Sequence, residues 1–124
     1  MRYMRGDEDR VVQAFCDYMT REGWSVSREV NFVDVVAQKD GCKLLAEVKG
    51  RTAAIGLDVD TMFGQLLRRM PPTRPTETTR FAVVVPTGAA EAVRRVPAWV
   101  REELRIDVYV VDDDGTVTPP GPST

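Results

Sequence analysis

The stretch Asn31-Phe32-Val33-Asp34-Val35-Val36-Ala37-Gln38-Lys39-Asp40-Gly41-Cys42-Lys43-Leu44-Leu45-Ala46-Glu47-Val48-Lys49-Gly50 sets two apolar runs on either side of an Asp-Gly pair. That pair predicts a tight hairpin, because the mirror-image turn needs positive φ at both central residues. With Asp40 and Gly41 as the whole loop, 39 faces 42, 38 faces 43, and Asp34 falls opposite Glu47. Side chains alternate along a strand, so Lys49 shares the face of Glu47. Two carboxylates at cross-strand distance, roughly 5 Å between Cβ atoms, repel each other. A cation between them removes that penalty. The plainer alternative is a hairpin whose Asp34 and Glu47 are solvated, or whose Glu47 pairs with Lys49.

The neighbours favour a site. Val33, Val35, Ala37, Leu44, Ala46 and Val48 make one face of the hairpin apolar, and Phe32, Val36 and Leu45 do the same for the other. Strands apolar on both faces are central strands covered by helices on each side. Charges that are hard to solvate persist where they are paired or bind metal. Asp34, Glu47 and Lys49 are therefore candidate functional residues.

Composition narrows the chemistry. The chain has 124 residues, enough for one domain with a single core, and its 43% hydrophobic and 29% charged residues are ordinary for a globular protein. No run is long enough to span a membrane, and the first residues lack the apolar core of a signal peptide, so a cytoplasmic location is expected. Cys16 and Cys42 form no metal-spaced motif and read as reduced packing residues. With no histidine, Ser-His-Asp catalysis, Cys-His catalysis and His-ligated zinc are excluded. Carboxylates, lysine and a hard metal remain. The net charge of −2 and pI near 5.2 argue against a general coat of positive charge. Basic residues nevertheless cluster at 49–51, 68–69, 74, 80 and 94–95, and acids at 7–9, 58–60 and 112–114. The 14 arginines against 3 lysines hint at a GC-rich bacterial genome.

Working outward, the N-terminal segment predicts a helix from near Asp7 to about Glu22, stopped by Gly23, with Val11, Val12, Ala14, Phe15, Tyr18 and Met19 as its stripe. Glu8 falls within roughly 30° of the centre of that stripe, with Asp7 and Asp9 to either side. An acid in the first turn is favoured by the helix dipole whatever its role. The functional alternative is that Glu8 points toward the sheet carboxylates. Residues 24–30 read as a strand at the sheet edge. Asp58 is a plausible N-cap for a second helix ending near Met70 before Pro71-Pro72. Its stripe is Val59, Met62, Phe63, Leu66, Leu67 and Met70, flanked by Gln65 and Arg69. An exposed, mobile loop over 71–79 leads to a buried strand, 80–86. Helical segments follow at 89–95 and 98–104, then a strand at 105–111, with a disordered tail over 119–124 beyond a single domain of 1–118. The order α-β-β-β-α-β-α-β predicts an α/β fold with a mixed sheet flanked by helices.

An acid on the first helix, Asp34 on one strand, Glu47-Val48-Lys49 on the next and a helix carrying Gln65 together resemble the PD-(D/E)xK nuclease superfamily. The resemblance covers about residues 7–70, and the remaining β-α-β fits the rest of its restriction-endonuclease-like core. One departure is Val33, where a proline often precedes the aspartate. The resemblance implies a Mg²⁺- or Mn²⁺-dependent phosphodiesterase. Asp34, Glu47 and the Val48 backbone carbonyl would hold the metal, and Lys49 would orient or activate the attacking water. Glu8 would bind a second metal or act as a base, and Gln65 would position the water or a phosphate. Arg51 and Arg69 would contact substrate phosphates. It also implies a nucleic-acid partner, DNA ahead of RNA, in a branched-DNA, repair or defence setting, and a homodimer by analogy with junction resolvases of similar size. Two other readings stay open: a catalytically silent binding or assembly module of the same fold, and an unrelated α/β domain whose acids are structural.

Overall fold

Val11, Phe15 and Met19, one turn apart and almost fully buried, place helix α1 (Gly6–Arg21) against one face of a sheet. The structure, a computed structural model, describes residues 6–51 and 53–121, Gly6 through its backbone alone. Gly23 ends the helix at φ +95°, a conformation costly for any residue with a Cβ, and the Trp24 N–H donates to the Met19 carbonyl at 3.0 Å.

Strands β1 (Ser25–Val30), β2 (Val33–Lys39) and β3 (Cys42–Val48) form an antiparallel meander. The Asp40-Gly41 turn has positive φ at both residues and sets Lys39 opposite Cys42, the register expected from sequence. The β1–β2 connection is a second two-residue turn, which the sequence reading missed. Val30 faces Val33, while Asn31 and Phe32 stand at φ +50° and +68°. Phe32, expected to lie on an apolar strand face, is therefore at a turn and 84% exposed.

Helix α2 (Ile55–Arg68) then crosses to β4 (Thr79–Pro86), parallel to β3. It begins three residues before the expected Asp58 cap. The Asp58 N–H already donates to the Ala54 carbonyl, so Asp58 belongs to the first turn, where its charge suits the dipole. Leu67, assigned to the buried stripe, is 47% exposed, because Val59, Met62, Phe63 and Leu66 fill the contact with the sheet. A 3₁₀ turn (Thr87–Ala89), α3 (Ala90–Val93) and α4 (Ala98–Glu103) lead to β5 (Ile106–Val111), parallel to β4. A two-residue strand β6 (Val117–Thr118) folds back antiparallel on β5. Pro119, Pro120 and Gly121 are exposed, and residues 122–124 of the expected tail lie outside the described residues.

The sheet is open and mixed, in the order β1-β2-β3-β4-β5-β6. Its α1 face packs Val35, Ala46, Val48, Val84 and Val111 against Val11, Phe15 and Met19. Its opposite face packs Phe81, Val83 and Val85 against Met62, Leu66 and Val93. One further expectation changes: Cys42 is exposed rather than packed, as the first residue after the hairpin turn. The loop after α2 is exposed over most of its length, as expected, and the Arg105 guanidinium donates to the carbonyls of Pro75, Thr76 and Thr79.

Candidate active site

Because β2 runs antiparallel and β4 parallel to β3, the start of β2 meets the ends of β3 and β4 at one edge of the sheet. Ligand crevices of open α/β sheets form at the carboxyl ends of such strands. Backbone pairing of β2 with β3 runs from Lys39 and Cys42 to Val35 and Ala46. Beyond it the Asp34 side chain takes over: Oδ2 accepts the Val48 backbone N–H at 2.8 Å. A side chain in place of a backbone rung lets the two strands part without leaving that N–H unpaired.

Glu47 is the single buried charged or polar residue among the described ones, with 3% of its surface exposed. Its Oε1 lies 3.5 Å from Arg69 Nη1, at the outer limit of a hydrogen bond, and its Oε2 is buried with no hydrogen-bond partner. Burial, and then the Asp34 charge, push the Glu47 carboxyl up to about 7. Arg69 and the Asp34 backbone N–H offset this only in part. Glu8 adds to the upward push, which brings the first turn of α1 into the electrostatic range of the site. Burial also raises Asp34, against the Val48 N–H and the positive charges of Arg69 and Lys49.

Glu8 reaches this edge because Gly50 lets α1 approach. A Cβ on Gly50 would stand 2.4 Å from the Glu8 backbone nitrogen and 2.7 Å from its Cα. The approach is fixed by polar contacts that run through Asp7. Burial alone would raise the Asp7 carboxyl, but the Arg51 backbone N–H and the Arg10 guanidinium hold it below the usual carboxylate range. Arg10 also donates to the Asp112 carbonyl at 2.9 Å.

The structure thus gathers Glu8, Asp34, Glu47 and Arg69 around the end of β3, while Lys49, the first residue after that strand, acts on Asp34 through its charge and lines a separate cleft with Arg51 and Asp58. Glu8, Asp34 and Arg69 line a cleft of about 530 Å³ with Arg28, Asn31 and Phe32. Gln65 is half-buried on α2 one turn before Arg69 and does not line that cleft. Arg51 turns away: its guanidinium pairs with Asp113 at 2.7 Å, with both side chains mostly exposed. Arg28, Asn31 and Phe32 were missed in the sequence because Asn-Phe is a poor signal for a mirror-image turn.

The donors at this edge suit a hard cation. Asp34, Glu47 and the Val48 carbonyl offer only oxygen, and the buried, unpartnered Glu47 Oε2 is the kind of atom a cation satisfies. Among the described residues no three acidic, cysteine or histidine side chains cluster closely enough to hold a metal by themselves.

The sequence matches no protein-family model, and no curated protein matches it. The fold does match solved structures. An XisH family protein from Nostoc punctiforme superposes with a TM-score of 0.58 and 20% identity, covering 89% of this chain and 97% of that one. A fdxN element excision controlling factor protein from Anabaena variabilis gives a TM-score of 0.61 and 19% identity, covering 89% and 96%. At that identity the likeness establishes the α/β fold with its open, mixed, helix-flanked sheet.

Proposed function

We propose that this protein is a metal-dependent nuclease that hydrolyses phosphodiester bonds of nucleic acid, DNA ahead of RNA, at the Asp34–Glu47–Lys49 edge of its sheet. The observation that carries the reading is the buried Glu47 Oε2 without a partner, beside a second carboxylate, Asp34, that feels the charge of Lys49. A buried acid this poorly satisfied costs stability, and a site for a divalent cation gives that cost a function. The order of these residues is the one that resembles PD-(D/E)xK nucleases. By its name one structural neighbour is an excision controlling factor of the fdxN element, and an excision-related role for this chain is consistent with strand cleavage.

Asp34, Glu47 and the Val48 carbonyl would hold Mg²⁺ or Mn²⁺, which would supply Lewis acidity toward the phosphate and the attacking water. The chain's own residues do the rest. Lys49 orients the attacking water and offsets charge that builds on the phosphate. Arg69, already at the cleft, grips a phosphate oxygen, and Gln65 positions the water or a neighbouring phosphate. Glu8 takes up a proton from the water or adds an oxygen ligand. Arg51 serves a flanking phosphate on leaving Asp113. Two such sites on a homodimer would suit a branched substrate.

The silent-module alternative draws on one observation: Asp34 Oδ2 is already engaged by the Val48 N–H, which leaves fewer donor atoms than a metal site built by side chains alone. A cleavage assay separates the two readings. Wild type and Lys49→Ala are incubated with linear duplex, single-stranded, flap and four-way-junction DNA and an RNA, with and without Mg²⁺. Metal-dependent cleavage by wild type, lost in Lys49→Ala, is expected. Binding without cleavage on every substrate would assign the protein to the silent module.

A further inference from the structure

The β1–β2 turn carries two features that the fold does not repay. Asn31 and Phe32 of the turn stand at φ +50° and +68°, and Glu29, near the end of β1, at +53°. Asparagine tolerates that region, but a bulky side chain there is a genuine outlier. Phe32 is also 84% exposed and packs against neither core cluster. Glycine is the ordinary residue at the second position of this turn. Backbone held in sparsely populated regions concentrates at functional sites. Glu29, Asn31 and Phe32 line the same cleft as Asp34 and Arg69.

We infer that Phe32 is a stacking prong for an unpaired nucleobase, so that the substrate at this site is single-stranded or has a base splayed from its helix. The inference deepens the nuclease reading and rests on it. An exposed aromatic ring offers a face to any base, and stacking of this kind is sequence-tolerant. Arg28 and Arg69 on the same cleft supply cations for the adjoining phosphates. Glu8, Asp9, Glu29 and Asp34 also line it, so the cleft is acidic by itself and phosphate enters with a divalent cation. The unusual turn then has a purpose: it holds the ring out of the core, at the mouth of the cleft.

The test measures binding apart from hydrolysis, in Ca²⁺. The probes are a single-stranded oligonucleotide carrying one 2-aminopurine, whose emission is quenched by stacking, and its blunt duplex. The proteins are full-length wild type, Phe32→Ala, Phe32→Trp and Phe32→Gly, each with its melting temperature measured. Wild type should prefer the single strand and alter the 2-aminopurine emission. Phe32→Ala should bind that strand roughly 5- to 150-fold more weakly, the range expected for one lost stacking contact. Phe32→Trp should retain binding. Phe32→Gly should melt at a higher temperature than wild type yet bind as poorly as Phe32→Ala, a combination no purely structural role produces. Equal binding by wild type and Phe32→Ala, or no binding of either probe by wild type, would overturn the inference. Metal-dependent cleavage in a parallel Mg²⁺ reaction with unchanged Phe32→Ala binding would remove the prong and keep the nuclease. Phe32-dependent binding without cleavage would do the reverse.

Discussion

Glu47 concentrates the physical argument in one side chain. An exposed glutamate releases its proton near 4.5, whereas burial and the Asp34 charge hold the folded Glu47 proton to about 7. Between those values the folded state binds more protons than the unfolded one, so stability falls as pH rises from about 4.5 to about 7. Glu47→Gln removes that loss. Urea midpoints at pH 5 and pH 8 should therefore show a larger decline for wild type than for Glu47→Gln; equal declines would contradict the burial of this charge. The neighbouring residues are tested through function. Asp34→Ala and Lys49→Ala should abolish cleavage while the circular dichroism spectrum stays that of wild type, and near-normal turnover in either would remove that residue from the site. The placement of Asp34 and Glu47 at the open end of the hairpin was legible in sequence because the Asp40-Gly41 turn fixes the register arithmetically. The Arg51–Asp113 pair was not, since it joins residues 62 apart that nothing local connects.

At the scale of elements, Gly50 ties α1 to the site. Replacing it with alanine drives a Cβ into the Glu8 backbone, which cannot yield as a flexible side-chain tip would. Overpacking of this kind costs about 1–3 kcal/mol. Gly50→Ala should lower the urea midpoint accordingly and weaken cleavage through displacement of Glu8. A wild-type midpoint with wild-type activity would show that α1 is not positioned by this contact. The helices themselves were readable from the apolar period of α1 and α2, and their ends only approximately. The Asp58 cap was misplaced because an acid is equally at home in the first turn. The β1–β2 turn escaped because its second residue is phenylalanine, and β6 because two residues carry no periodicity.

For the whole molecule, the order of strands and helices could be read from sequence. Which helix covers which face, and the meeting of β2, β3 and β4 at one edge, needed the structure. That edge gives the fold its chemical asymmetry: two well-packed apolar layers, and between them a buried acid that protein contacts leave half satisfied. A cation bound only by the folded chain stabilises it by mass action, by about 2.7 kcal/mol at a hundredfold excess over its dissociation constant. The most direct measurement is calorimetric titration of Mn²⁺ into wild type and Glu47→Gln at pH 8, with melting temperatures of both. Saturable binding and a raised melting temperature in wild type, both lost in Glu47→Gln, are predicted. Identical titrations for the two proteins, or no melting shift at millimolar metal, would contradict the assignment of this edge as a metal site.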